Sequence, residues 1–213
     1  MKKLINLLGL LGIVQLLSYT AAVLFAPLAY PGYDALSQAV SDLSAESSPS
    51  RMLWDQLSAL YGVCSIVCVT CVSVYVSENK TGTKVFRLGI YLFTIMNWIS
   101  KVGYQMFPLS ESGKDIAGFQ EIMHIAVTVA VVLLSIVSLV ILIAAGAKSK
   151  QHFIAVSASI ALAMMFVGAV GQGIVPPELF GVVERFSVFA AVGFNAVLGI
   201  YLFTGCKDGR KTV

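Results

Sequence analysis

The chain has 213 residues, 58% hydrophobic and 12% charged, with a mean hydropathy of +0.87. Soluble domains carry about a quarter charged residues, so this polar surface cannot solvate a globule and the bilayer must be the main solvent. The net charge is only +3, and no basic block interleaved with aromatics appears, which argues against nucleic acid as a partner.

Lys2 and Lys3 precede an apolar run at 4–29. This run is roughly twice the length of a signal-peptide core and lacks a clean small-x-small end, so a retained first membrane helix is expected. Pro27 and Pro31 mark its exit. Five further runs follow at 53–76, 85–107, 119–147, 153–175 and 179–205. Each is near the ~20 residues that cross a hydrocarbon core as a helix. Backbone groups in lipid must be satisfied within a segment, and no period-2 pattern suggests a barrel. The expected fold is all-α, a single membrane domain of six transmembrane helices. Ala155, Ser159 and Ala163, with Gly168 and Gly171 beyond them, predict a small-residue packing face on the fifth. Cys64, Cys68 and Cys71 share one apolar run and read as packing residues.

Ten of the 14 basic residues fall on one side: Lys2, Lys3, Lys80, Lys84, Arg87, Lys148, Lys150, Lys207, Arg210 and Lys211. The loops opposite hold Arg51 and Lys114. The positive-inside rule then puts both termini in the cytoplasm of a cell-membrane protein. Asp34, Asp42, Glu46, Asp55, Glu111, Asp115, Glu121 and Glu178 gather at the outer face, as do all six prolines. Proline fixes φ and removes a donor, so these loops are shaped, and shaped loops mark the working face.

Ionisable groups within the spans are few and share one depth. Lys101, His124, Glu184 and Arg185 lie about 7–9 Å below the outer ends of their helices at ~1.5 Å per residue. Asn97 lies one turn below Lys101, and Gln15 is mid-span in the first helix. The inner half has no ionisable side chain, which predicts an outward-facing polar pocket rather than a channel. Glu184 and Arg185 are adjacent and diverge by about 100°. The simplest arrangement pairs Glu184 with Lys101 and leaves Arg185 for a headgroup or for Asp42. Glu121, one turn before His124, is placed to orient its imidazole. Zinc needs three or four ligands; with no second histidine on that side, neither metal nor cofactor is expected.

The first outer loop, 30–52, reads YPGYDALSQAVSDLSAESSPSRM. Asp34 is placed to cap a short amphipathic helix with Leu36, Val40 and Leu43 on one face and Ser37, Ser41 and Ser44 on another. Such a helix would lie on the membrane surface or fold over the bundle as a lid. Ser48 and Pro49 then read as the cap and first-turn proline of the second membrane helix. This loop, Phe107-Pro108, His124 and Glu184-Arg185 together resemble an uncharacterised prokaryotic membrane family, domain of unknown function 998. The resemblance implies a six-span membrane fold and brings no activity. A looser similarity is to alkaline ceramidases, which gather Ser, Asp and His at one membrane face but use histidine-bound zinc, and this chain lacks those histidines.

The leading expectation is a site for a lipid headgroup or small polar or anionic ligand, built from Lys101, His124, Glu184, Arg185, Asp42, Ser37 and Asn97. An alternative is a metal-independent hydrolase or transferase, with Ser41 (or Ser37 or Ser44) as nucleophile, His124 as base and Asp42 or Glu184 orienting it. A transporter would need a polar inner route, and a structural subunit an exposed patch outside the lipid belt.

Overall fold

The computed structural model describes residues 3–110 and 118–206. Lys2, Glu111, Lys114, Asp115, Lys207, Arg210 and Lys211, used in the charge pattern above, lie outside them. The first rod contains α1 (Leu4–Leu7), a 3-10 turn, α2 (Leu11–Phe25) and a second 3-10 turn. Two short helices follow, α3 (Val40–Ser44) and α4 (Arg51–Leu57). The remaining long helices are α5 (Ala59–Glu78), α6 (Lys84–Met106), α7 (Phe119–Lys148), α8 (His152–Gly171) and α9 (Phe180–Phe203).

Among the described residues, five helical segments are long and apolar enough to cross a membrane: Leu4–Ala29, Ala59–Glu78, Phe119–Lys148, His152–Gly171 and Pro177–Phe203. Large apolar side chains face outward along them, among them Leu17, Leu24, Val129, Ile160 and Phe166. An aqueous monomer rarely exposes apolar surface on this scale; lipid accepts it. The protein is a multi-pass membrane protein.

Consecutive long helices pack side by side, and α9 closes the ring by packing on both α8 and α2 while also touching α5. Lipid offers no hydrophobic drive for helix association, so close backbone approach and hydrogen bonds carry it. At the α2–α9 seam a Cβ on Gly12 would stand 3.1 Å from the Gly199 Cα. Asn6 Nδ2 donates to the Leu202 carbonyl at 2.7 Å and Gln15 Nε2 to that of Val192 at 2.9 Å. The mid-span Gln15 is therefore an interhelical clasp. On α8, Gly168 and Gly171 face Val183 and Ser187 of α9. Ala155, Ala158 and Ala161 continue the buried face, whereas Ser159 and Ala163 point outward. All four cysteines are free.

Two regions of core divide the bundle. Toward the end that holds the described termini, Phe86, Ile90, Phe93, Leu139, Leu142, Phe194, Leu198 and Tyr201 fill the centre. Phe93 meets Phe194 edge-on across the bundle, with centroids 5.0 Å apart. At the other end, Tyr19, Ala22, Val40, Leu43, Trp54 and Val192 form a smaller cluster to one side.

The second predicted span proves to be two helices. Ser58 breaks it, and the Leu57 carbonyl accepts a 2.6 Å hydrogen bond from Ser18 Oγ. Its first piece begins at Arg51 rather than at the predicted proline turn. The covering loop also differs from expectation. Asp34 organises a turn, accepting from the Leu36 amide at 3.0 Å and from Ser37 Oγ at 2.7 Å, and the helix starts only at Val40. Val40 and Leu43 are buried, while Leu36 is exposed.

Candidate functional site

A cavity of about 620 Å³ opens at the loop-bearing end, with α6 and α7 on one side and α9 on another. On α7 its wall runs from His124 through Thr128 to Ser135, about 16 Å of helix at ~1.5 Å per residue. On α9 it runs from Phe180 through Glu184 and Ser187 to Val192. Ser100, Lys101 and Tyr104 come from α6, and Tyr61, Gly62 and Ser65 from α5. Val40, Ser41 and Ser44 of α3 lie across the mouth. A smaller cleft of about 70 Å³ adjoins it between α7 and α8. Val132, Met165, Ala169 and Ser187 line both spaces.

Lys101 has no hydrogen-bond or ion-pair partner among the described residues. Its side chain lies over Gly62, where a Cβ would stand 2.6 Å from Nζ. Any larger residue there would push the lysine aside. The expected pairing with Glu184 is not present. Helices α6 and α9 are held apart by the cavity, and the Glu184 carboxylate has a nearer donor: Oε2 accepts the Val40 amide at 3.1 Å. Glu184 thereby fastens α3 over the cavity.

His124 Nδ1 lies 2.8 Å from the Phe107 carbonyl oxygen. A carbonyl only accepts, so Nδ1 carries the proton, and in the uncharged form of the ring the lone pair lies on Nε2. Glu121 does not orient this ring; it accepts from Ser110 Oγ at 2.8 Å. Tyr104 stacks obliquely on His124 at 5.1 Å and donates to Thr128 Oγ1 at 3.1 Å. At the cavity floor Ser135 is 1% exposed and its Oγ has no hydrogen-bond partner among the described residues.

Four residues expected in the site line none of the cavity. Arg185 turns into the loop, where its guanidinium donates to the carbonyls of Ala35, Gln38 and Gly181 and to Tyr33 Oη, at 2.6–3.1 Å. Burial raises the Tyr33 phenol above its usual range, with Arg185 opposing. Asp42 Oδ2 accepts the Ala39 amide at 3.2 Å and so starts α3. Ser37 is bound to Asp34, whose carboxyl is lowered by that hydrogen bond first and by the Leu36 amide second. Asn97 joins Ser65 and Asn195 in a polar layer below the cavity, with Ser65 Oγ and Asn195 Nδ2 donating to its Oδ1 at 3.0 and 3.1 Å.

Sequence reasoning missed Tyr19, Trp54, Tyr61, Gly62, Ser100, Thr128 and Ser135. In one dimension each is an ordinary apolar-helix or packing residue. Gly62 alone offered a cue, as the small residue one turn beyond the break at Ser58.

A family model described as protein of unknown function (DUF998) matches residues 13–201. Neither the curated proteins nor the solved structures contain a match.

Proposed function

The chain belongs to the family described as protein of unknown function (DUF998), and from the geometry of its cavity we propose that it binds a lipid headgroup or small anionic ligand through Lys101. The observation that carries this reading is the lysine itself. A cation within a membrane span costs at least about 2.5 kcal/mol at mid-bilayer and ordinarily pairs. Lys101 instead has no partner among the described residues and borders a 620 Å³ space. That volume is within the range of small-molecule sites. His124, Ser100, Thr128 and Ser41 supply hydrogen-bonding groups around it. The adjoining α7–α8 cleft, about 70 Å³, is lined mainly by Val132, Ile136, Met165, Phe166 and Ala169 and has room for the first carbons of an acyl chain.

In this reading α6 is the sixth crossing. Its 23 residues span about 34 Å at ~1.5 Å per residue, with Lys84 and Arg87 at one end and Lys101 turned to the cavity. Lys80, Lys148 and Lys150 join that basic end, so both termini are cytoplasmic and the cavity faces outward across the cell membrane. The test is native mass spectrometry of detergent-purified protein titrated with phosphatidylglycerol. Wild type should retain the lipid, and Lys101→Met should lose at least tenfold in retention with an unchanged melting temperature. Equal retention by both proteins would refute the reading.

A second reading, ester cleavage, has one observation in its favour: the tautomer of His124 leaves Nε2 as a base beside a cavity that Ser41 and Ser44 also line. Neither serine hydrogen-bonds to that ring, and Ser44 Oγ donates to the Ser41 carbonyl at 3.0 Å. Covalent labelling of Ser41 by a fluorophosphonate, lost in His124→Gln, would support it; no labelling at either serine would count against it.

A further inference from the structure

The charged groups bordering the cavity are of both signs, and they do not neutralise each other. Lys101 and Glu184 form no ion pair, so their charged atoms are more than 4.0 Å apart. Glu184 Oε2 has the Val40 amide, and Oε1 has no hydrogen-bond partner among the described residues. Two opposite charges in one low-dielectric space, with no ion pair between them, are poorly compensated. A single molecule carrying an anion and a cation satisfies both at once.

The aromatic residues indicate where the cation goes. Tyr19, Trp54 and Tyr61 arrive from α2, α4 and α5, and all three border the cavity. The Tyr19 ring meets Trp54 at 5.7 Å and 87°, and Tyr61 at 4.7 Å and 53°. It also meets Phe189 of α9 at 5.7 Å, about one turn along from Glu184. Clustered ring faces attract ammonium groups through their quadrupoles, and a carboxylate beside them adds charge of the right sign. Lysine, a compact point charge, suits a phosphate.

Resting on the reading of Lys101 as the anion anchor, we infer that the occupant is a phosphate–ammonium zwitterion, its phosphate on Lys101 and its ammonium between Glu184 and the Tyr19–Trp54–Tyr61 rings. This chemistry is that of an ethanolamine-type headgroup, lipid-borne or free.

The experiment compares phosphatidylethanolamine with phosphatidylglycerol of the same acyl chains, titrated into the detergent-purified protein, with adducts counted by native mass spectrometry. Wild type should prefer the ethanolamine lipid by about tenfold, roughly 1.4 kcal/mol. Glu184→Gln keeps a carbonyl oxygen for the Val40 amide, so the cover stays; it should erase the preference, bringing retention of the two lipids together. Lys101→Met should lower both. The wild-type comparison needs no variant and stands if either substitution impairs folding. Competition by water-soluble phosphoethanolamine identifies a free headgroup as sufficient, and its failure against a bound ethanolamine lipid identifies the lipid; both results support the zwitterion. Equal retention of the two lipids, still dependent on Lys101, overturns the zwitterion and leaves the anion site standing. Retention indifferent to Lys101→Met, or no retention of either lipid, overturns both.

Discussion

The two ends of this bundle solve the same packing problem differently. Near the termini, large side chains from α5, α6, α7 and α9 meet at the centre, with Phe86, Phe93, Leu142 and Leu198 fully buried. At the loop-bearing end the same helices continue, but Gly62, Ser100, Ser135 and Ala191 face the middle and leave a cavity. The loop closes over that cavity and holds itself down with Arg185 and Glu184. One end is filled with hydrocarbon, and the other is kept open, polar and covered. In lipid, where packing contributes most of the helix–helix attraction, an unfilled half forgoes stability, and a bound ligand is the natural compensation.

The comparison is broken most severely in the packed half. Phe93→Ala removes a fully buried ring that meets Phe194 and should cost about 3–5 kcal/mol, read as a lowered melting temperature in detergent. Val132→Ala, at a partly exposed residue that borders the cavity, should cost under about 1 kcal/mol, since no close-packed neighbour is lost on that side. Similar losses at the two positions would mean that the open half is as tightly filled as the other.

Arg185→Met comes next. It removes donors from the carbonyls of Ala35, Gln38 and Gly181, and each hydrogen bond to a charged group is worth about 1.5–3 kcal/mol. Some replacement by water reduces the total, so a loss near the value of one such bond is expected. Hydrogen exchange should rise across 35–44 and stay unchanged in α6. Gly62→Ala should be smaller still in stability. The nearest atoms to its methyl are those of the flexible end of Lys101, so the fold survives while lipid retention falls several-fold.

The smallest effect is a pH dependence in the loop. Asp34 titrates below the ordinary carboxylate value in the folded chain, through Ser37 Oγ first and the Leu36 amide second. Its contribution to the 34–38 turn is complete above the ordinary value and is lost as pH falls through the lowered one. Protection of the Leu36 amide, followed by NMR, should therefore drop at acid pH, and Asp34→Asn should blunt that pH dependence.

The long helices were legible because hydropathy and span length are local properties of the chain. The run predicted at 119–147 is a helix at Phe119–Lys148, and that at 85–107 one at Lys84–Met106. Counting residues from the helix ends put Lys101, His124 and Glu184 at one level, and all three border the cavity. Direction around each helix axis was not legible. Glu184 was expected to seek the opposite charge across the bundle, but the Val40 amide stands nearer, and Arg185 found carbonyls of the loop above it. Ser58 looks like any serine in an apolar run, and its role as a helix break depends on Ser18 of a different helix. The aromatic group Tyr19, Trp54 and Tyr61 exists only once three helices converge.

The most direct test of the central claim is an experimental structure of the protein in nanodiscs containing phosphatidylethanolamine and phosphatidylglycerol. The account predicts elongated density filling the cavity, with its polar end within hydrogen-bond distance of Lys101 Nζ and its apolar end in the α7–α8 cleft. A cavity collapsed by movement of α6 toward α9, with Lys101 paired to Glu184, would contradict it.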